Sequence, residues 1–274
     1  MSDWLNGAWI DGAARVDAGD RGFLLGDGLF ETLCVRDGRV WRVRRHVARL
    51  ADGAAELGIP LTVDTDALAA AIREAARRNG VAAGMVRVTL TRGTATGGLV
   101  PADPPAPTLL VTARARAVDD GPLRATSARS TRRNEFSLAA RIKTTSYVDG
   151  IVAAREAAAA GSDTALLLNT QGRLAEGAVA NLFCVIDGRL VTPPVSEGAL
   201  PGIMRAEVMA RTGAVEMALD ESALVRAEEA LLTNSAGVRA LVAVDGRPIG
   251  DGRPGPLTAR LQSQIWQQEE DADG

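Results

Sequence analysis

"GLFETLCVRDGRVWRV", residues 28–43, is an apolar stretch broken in the middle by Asp37-Gly38. That dipeptide accepts the positive φ values of a tight turn, and apolar residues alternate on either side of it, so a two-stranded hairpin is predicted. The same signal returns at Asp187-Gly188 and Asp245-Gly246. After the first hairpin the period lengthens. Val47, Leu50, Ala54 and Leu57 fall on one helical stripe, which Gly58 and Pro60 close. "VDTDALAAAIREAARRNG" (63–80) predicts a second helix, capped by Thr65 or Asp66 and stopped at Asn79-Gly80. Strands thus come in adjacent hairpins, with helices interspersed and no regular βαβ alternation. This predicts an α+β architecture over a doubly wound sheet.

"GMVRVTLTRG" (84–93) and "LLVTARA" (109–115) read as strands flanking "GTATGGLVPADPPAPT" (93–108), a Gly- and Pro-rich loop of the kind that often carries function. Polar and turn-forming residues at 118–122 suggest a linker between a small N-terminal domain, 1–117, and a larger C-terminal one, 123–274. In the second half a helix is expected from Tyr147 to Ala160 and another from about Pro201 to Thr212. Strands are expected in "TALLLNTQGRLAEG" (164–177), "ANLFCVIDGRLVTP" (180–193), "EALLTNS" (229–235) and "RALVAVDGRPI" (239–249).

Composition narrows the function. With 274 residues, 46% hydrophobic and 24% charged, the chain has ample apolar surface for one or two cores. A net charge of −3 gives no field to recruit nucleic acid or an acidic membrane, and 3% aromatics offer few stacking platforms, so neither partner is expected. No segment is long and apolar enough to span a bilayer, and "MSDWLNGAWIDG" lacks the basic and apolar regions of a leader, so a cytoplasmic location is expected. Cys34 and Cys184 sit in apolar strand-like stretches without metal-clip spacing and read as core thiols, so no metal site is expected.

Of 31 basic Lys and Arg residues, only Lys143 is lysine. Lysine has what arginine lacks, an amine that can lose its proton and attack a carbonyl; the alternative is a stray surface lysine in an arginine-biased chain. In "RIKTTSY" (141–147) it stands at the end of an extended segment, four residues before the sole tyrosine, Tyr147. That phenol could hydrogen-bond to a Schiff base or a cofactor oxygen, or simply bury its ring at a helix start. A reactive lysine alone would also serve an aldolase or a decarboxylase. A pyridoxal phosphate site further needs an anion cradle and a carboxylate for the ring nitrogen.

Six segments together look like the ordered motifs of the class IV aminotransferases. They are "FLLGDGLFET" (23–32), "HVARL" (46–50), "IKTTSY" (142–147), "LAEGAVANLFCV" (174–185), "ALPGIMR" (199–205) and "LLTNSAG" (231–237). This is the fold-type IV family of pyridoxal 5'-phosphate enzymes, with branched-chain and D-amino-acid aminotransferases and aminodeoxychorismate lyases among its members. The resemblance implies that Lys143 forms the Schiff base with the cofactor and carries the proton between substrate Cα and the cofactor. It implies that Glu176 faces the pyridine nitrogen and that Arg49 holds the phosphate, together with the backbone N–H groups of Ile203 and Met204 and the Ser235 hydroxyl. His46, the only histidine, reads as structural. The plain alternatives are a turn carboxylate beside Gly177, a solvated helix arginine and a turn serine. The resemblance also implies an active homodimer and small-molecule amino acid and 2-oxo acid substrates.

The expected reaction is transamination. Two other readings stand beside it: release of pyruvate and 4-aminobenzoate from aminodeoxychorismate, and a non-catalytic binding module in which the lysine is incidental. D-amino-acid relatives carry an Arg-x-His pair after "TRGT", whereas this chain reads "TRGTATGGLV" (91–100). Arg87 or Arg92 would then hold the substrate carboxylate. Strand alternation sets Arg87 on the face of Met85 and Thr89, away from Val86, Val88 and Leu90, where it faces either a cleft or simply solvent.

Overall fold

A computed structural model describes residues 1–101 and 104–267. Residues 102–103 of the expected 93–108 loop, and 268–274 at the end of the expected C-terminal domain, lie outside the described residues. The chain forms two compact units. One comprises Met1–Val118 together with Lys143–Ser146; the other comprises Asp119–Ile142 and, among the described residues, 147–267.

The first unit contains β1 (Ser2–Leu5), β2 (Ala8–Asp11), α1 (Arg21–Leu25), β3 (Gly28–Arg36), β4 (Arg39–Val40), α2 (Val43–Leu57), α3 (Thr65–Arg78), β5 (Gly84–Thr91) and β6 (Thr108–Ala115). Its six strands form one antiparallel sheet in the order β2-β1-β6-β5-β3-β4. Asp37 and Gly38, at φ of 52° and 73°, make the turn between β3 and β4. α2 buries Val47, Leu50 and Ala54 as its stripe requires, and Gly58 ends it in the left-handed conformation. The cap of α3 is Asp64, one residue before the expected Thr65. Its carboxylate accepts the N–H groups of Asp66 and Ala67 at 2.8 and 3.2 Å, and a charged acceptor suits the positive end of the helix better than a hydroxyl. β3 also departs from the expected alternation, since all of it but Thr32 and Arg36 is buried.

The second unit contains β7 (Leu123–Ser127), α4 (Leu138–Arg141), α5 (Val148–Ala159), β8 (Thr164–Leu168), β9 (Leu174–Gly177), β10 (Asn181–Ile186), β11 (Arg189–Thr192) and α6 (Ile203–Thr212). β12 (Val215–Glu216), α7 (Glu221–Arg226), β13 (Glu229–Asn234), β14 (Gly237–Val244), β15 (Arg247–Pro248) and α8 (Pro256–Gln264) follow. The sheet order is β12-β11-β10-β13-β14-β7-β8-β9, with β15 on β14. A tight turn, in which Gly177 N–H donates to Ala180 O at 2.7 Å, joins β9 directly to β10. Strands so far apart in the order can meet only if the sheet curls into a ring. Its interior holds Leu166, Leu174, Leu182, Cys184, Leu232 and Leu241, all at most 2% exposed. Most pairings are antiparallel, but β7 lies parallel to both β8 and β14. The crossover from β7 to β8 runs through α5, which packs by small residues, Ala153 and Ala157 against Ala165 and Leu167. Both cysteines are buried and free, and burial pushes the Cys184 thiol up to about 12. Among the described residues no helix is long and apolar enough to cross a membrane.

Candidate active site

In the first unit, residues 143–145 lie as a short extra strand on the start of β3. Phe30 N–H donates to the Lys143 carbonyl at 3.0 Å, Thr145 N–H donates to Gly28 O at 2.9 Å, and Leu29 pairs with Thr144. Lys143 is half-buried and its Nζ stands 4.4 Å from the centre of the Phe30 ring. Arg87 crosses the same ring, its Cζ 3.9 Å from the centre, and its Nε donates to Thr89 Oγ1 at 3.3 Å. β5 places Arg87 opposite Thr32 and Thr89 opposite Phe30, so alternation brings this group onto one face of the sheet. One aromatic ring thus sits within cation–π reach of two basic side chains. Arg92, the other candidate for a substrate carboxylate, is engaged within the fold instead. Its guanidinium donates to Asp27 and to the carbonyls of Leu57 and Gly58.

The opposite face of β3 carries Glu31. Arg49 Nε and Nη2 each donate to its carboxylate at 2.7 Å, and His46 Nδ1 lies 2.6 Å from Oε2. His46 and Arg49 stand one turn apart on α2, so a single carboxylate reaches both. Burial pushes the Glu31 carboxyl up, but the hydrogen bonds and charges of His46 and Arg49 outweigh it and hold it at about 2. His46 is driven below its ordinary value, first by complete burial and then by the charges of Arg49 and Lys143, against the pull of Glu31. It is therefore a neutral ring donating through Nδ1–H. Glu31 was not singled out from the sequence, although a lone carboxylate in an otherwise apolar buried strand is a signal that it is paired.

In the second unit, Glu176 on β9 is 7% exposed. Its Oε2 accepts the Leu200 N–H at 2.9 Å and Asn181 Nδ2 at 3.3 Å, and its Oε1 lies 3.0 Å from Arg133 Nε. The register between β8 and β9 shifts next to Glu176, a bulge that re-aims a side chain and that no local pattern announces. Asn181 Nδ2 also donates to Leu200 O at 2.8 Å, which ties the acid to the entry of α6. No side chain caps the N–H groups of Ile203 and Met204 at the first turn of α6. Gly202 precedes them, and a Cβ there would overlap Asn181 Oδ1, so only glycine lets the helix start approach so closely. Ser235 is half-buried in the turn from β13 to β14, two residues after Thr233. The Thr233 hydroxyl is buried and without a hydrogen-bond partner among the described residues. Tyr147 opens α5, half-buried, its ring beside Gly150. Asn181 and Arg133 were likewise passed over in the sequence, since each reads there as an ordinary polar residue near a turn.

Comparison with known proteins agrees with this chemistry. The family model for amino-transferase class IV matches residues 28–244. The branched-chain-amino-acid aminotransferase of Salmonella typhimurium is 30% identical, over 96% of this chain and 91% of that protein. The D-alanine aminotransferase of Staphylococcus haemolyticus is 28% identical, over 94% of each. The crystal structure of the Escherichia coli branched-chain amino acid aminotransferase superposes with a TM-score of 0.91 at 26% identity, covering 99% of this chain and 97% of that one. The chain belongs to the class IV aminotransferases, and is a pyridoxal-phosphate-dependent enzyme of fold type IV.

Proposed function

We propose that this aminotransferase takes the amino group from a small apolar L-amino acid of the branched-chain kind and passes it to a 2-oxo acid. The observation that carries this reading is the group of Lys143, Phe30 and Arg87, in which an amine stands beside an apolar ring and a second cation. Phe30 suits an aliphatic side chain, and Arg87 suits a carboxylate. The relatives named for branched-chain substrates support the choice.

The residues present fit pyridoxal phosphate. The uncapped start of α6 and the unpartnered Thr233 hydroxyl ask for an acceptor, and Glu176 is a buried acid of the kind that faces a ring nitrogen. When bound, the cofactor supplies an electron sink for the substrate Cα. Lys143 holds the cofactor and then, as a free amine, moves the proton from the substrate Cα. Glu176 keeps a proton at the ring nitrogen. Arg49, the N–H groups of Ile203 and Met204 and the hydroxyl of Ser235 bind the phosphate, and Glu31 with His46 fixes the Arg49 fork. Tyr147 orients the cofactor from the start of α5. In this reading the enzyme works as a cytoplasmic homodimer, and light scattering of the purified protein should give twice the chain mass.

The test is a panel of amino donors supplied with 2-oxoglutarate. L-leucine and L-valine should be turned over faster than D-alanine, with glutamate as co-product. Preference for D-alanine would overturn the stereochemistry. Release of pyruvate and 4-aminobenzoate from aminodeoxychorismate, without any acceptor, would replace the transaminase reading by a lyase one.

A further inference from the structure

We infer that Arg133 is a positioning residue for Glu176, holding it ionised and in place for the cofactor ring; the inference rests on the reading of Glu176 given above. Arg133 belongs to "RRNE" (132–135), in the loop between β7 and α4, ten residues before Lys143. Its Nε lies 3.0 Å from Glu176 Oε1, the two side chains being 14% and 8% exposed. The same Nε–H donates to Gly198 O at 3.1 Å, and Nη2 donates to Ala139 O at 3.2 Å. Gly198 is at φ +94°, and a Cβ there would press on Arg133 Cγ at 3.0 Å, so this backbone makes room for the arginine.

Glu176 is thus held on both oxygens, by a cation on one and by the neutral donors of Leu200 and Asn181 on the other. Arginine does not deprotonate, so its charge at this largely buried spot is fixed. A fixed cation favours the carboxylate over the acid and also makes it a weaker base than an unpaired carboxylate would be. Arg133 therefore sets how firmly Glu176 keeps the proton on the ring nitrogen. Through Ala139 the same guanidinium reaches α4, whose last residue, Arg141, stands two before Lys143. One side chain ties the acid to the peptide that leads into the lysine.

The experiment uses the cofactor-loaded enzyme and four variants: Arg133→Gln, Arg133→Lys, Glu176→Gln and the double variant Arg133→Gln/Glu176→Gln. Two readouts accompany turnover, the pH midpoint of the cofactor's visible absorbance band and the Kd for pyridoxal phosphate added to the stripped protein. Arg133→Gln should move the midpoint and lower kcat by roughly tenfold or more with KM little changed, the size expected of coupling within one network. Arg133→Lys, which keeps the charge without the fork, should return most of the midpoint; if the glutamine variant fails to fold, a partial shift in the lysine variant supports the inference on its own. With Glu176→Gln already present, Arg133→Gln should cost less than about twofold more. A folded Arg133→Gln enzyme with the wild-type midpoint and kcat overturns the inference, as does an undiminished Arg133→Gln effect in the Glu176→Gln background or, where Arg133→Gln does not fold, an Arg133→Lys enzyme with no shift at all. A wild-type midpoint in Glu176→Gln would instead remove the reading of Glu176 on which the inference rests.

Discussion

Glu31 and His46 give the first unit a stability that depends on pH in a defined direction. Both groups have folded values below their ordinary ones, 4.5 for the carboxyl and 6.5 for the imidazole. For the histidine, the unfolded chain takes up a proton first as pH falls below 6.5, so the folded state loses stability there. For the carboxylate, the stabilisation is present above 4.5 and is lost as pH falls from there toward about 2. Urea unfolding between pH 8 and pH 3 should therefore show two successive losses. His46→Gln should remove the upper one and leave the lower. Glu31→Gln should remove the lower one and cost about 3 kcal/mol at neutral pH, because it leaves Arg49 without its counter-charge. A profile that neither variant changes would refute the pairing. Lys143 stands out in the sequence because its residue type is unique in the chain. Glu31 and Arg133 were not, because what marks them is a partner far away in sequence.

At the scale of elements, the hairpins and the α2 stripe follow from local chemistry and were legible directly. Asp-Gly turns and a 3.6-residue period need no distant partner. The bulge beside Glu176 and the short strand at 143–145 do need one, so neither was visible before folding. The entry to α6 shows what close approach demands. Gly202→Ala keeps an allowed backbone, φ −73°, yet drives a methyl into Asn181, which also holds Glu176 and Leu200. It should weaken pyridoxal phosphate binding by roughly tenfold or more, about 1.4 kcal/mol or above, within the range that overpacking costs. Gly213→Ala at the other end of the same helix meets nothing within 4 Å and should cost about 1 kcal/mol of stability through its positive φ, with binding unchanged. Equal effects of the two on cofactor titration would show that the approach at Gly202 plays no part in the site.

For the whole molecule, the α+β class and the family were legible from hairpin grammar and from six motifs in order. The grouping of Lys143–Ser146 with the first unit was not, since a boundary drawn along the chain cannot show four residues returning to pair with β3. Family membership fixes the cofactor, while in the proposed reading the choice of substrate rests on side chains such as Phe30 and Arg87. The account as a whole depends on Lys143 being the residue that holds the cofactor. Because it is the chain's only lysine, the measurement is direct: load the enzyme with pyridoxal phosphate, reduce it with borohydride, digest it and weigh the peptides. A single phosphopyridoxyl group on the peptide containing Lys143 is the predicted result. A reduced protein that bears the label at its N-terminal amine, or not at all, would contradict the account.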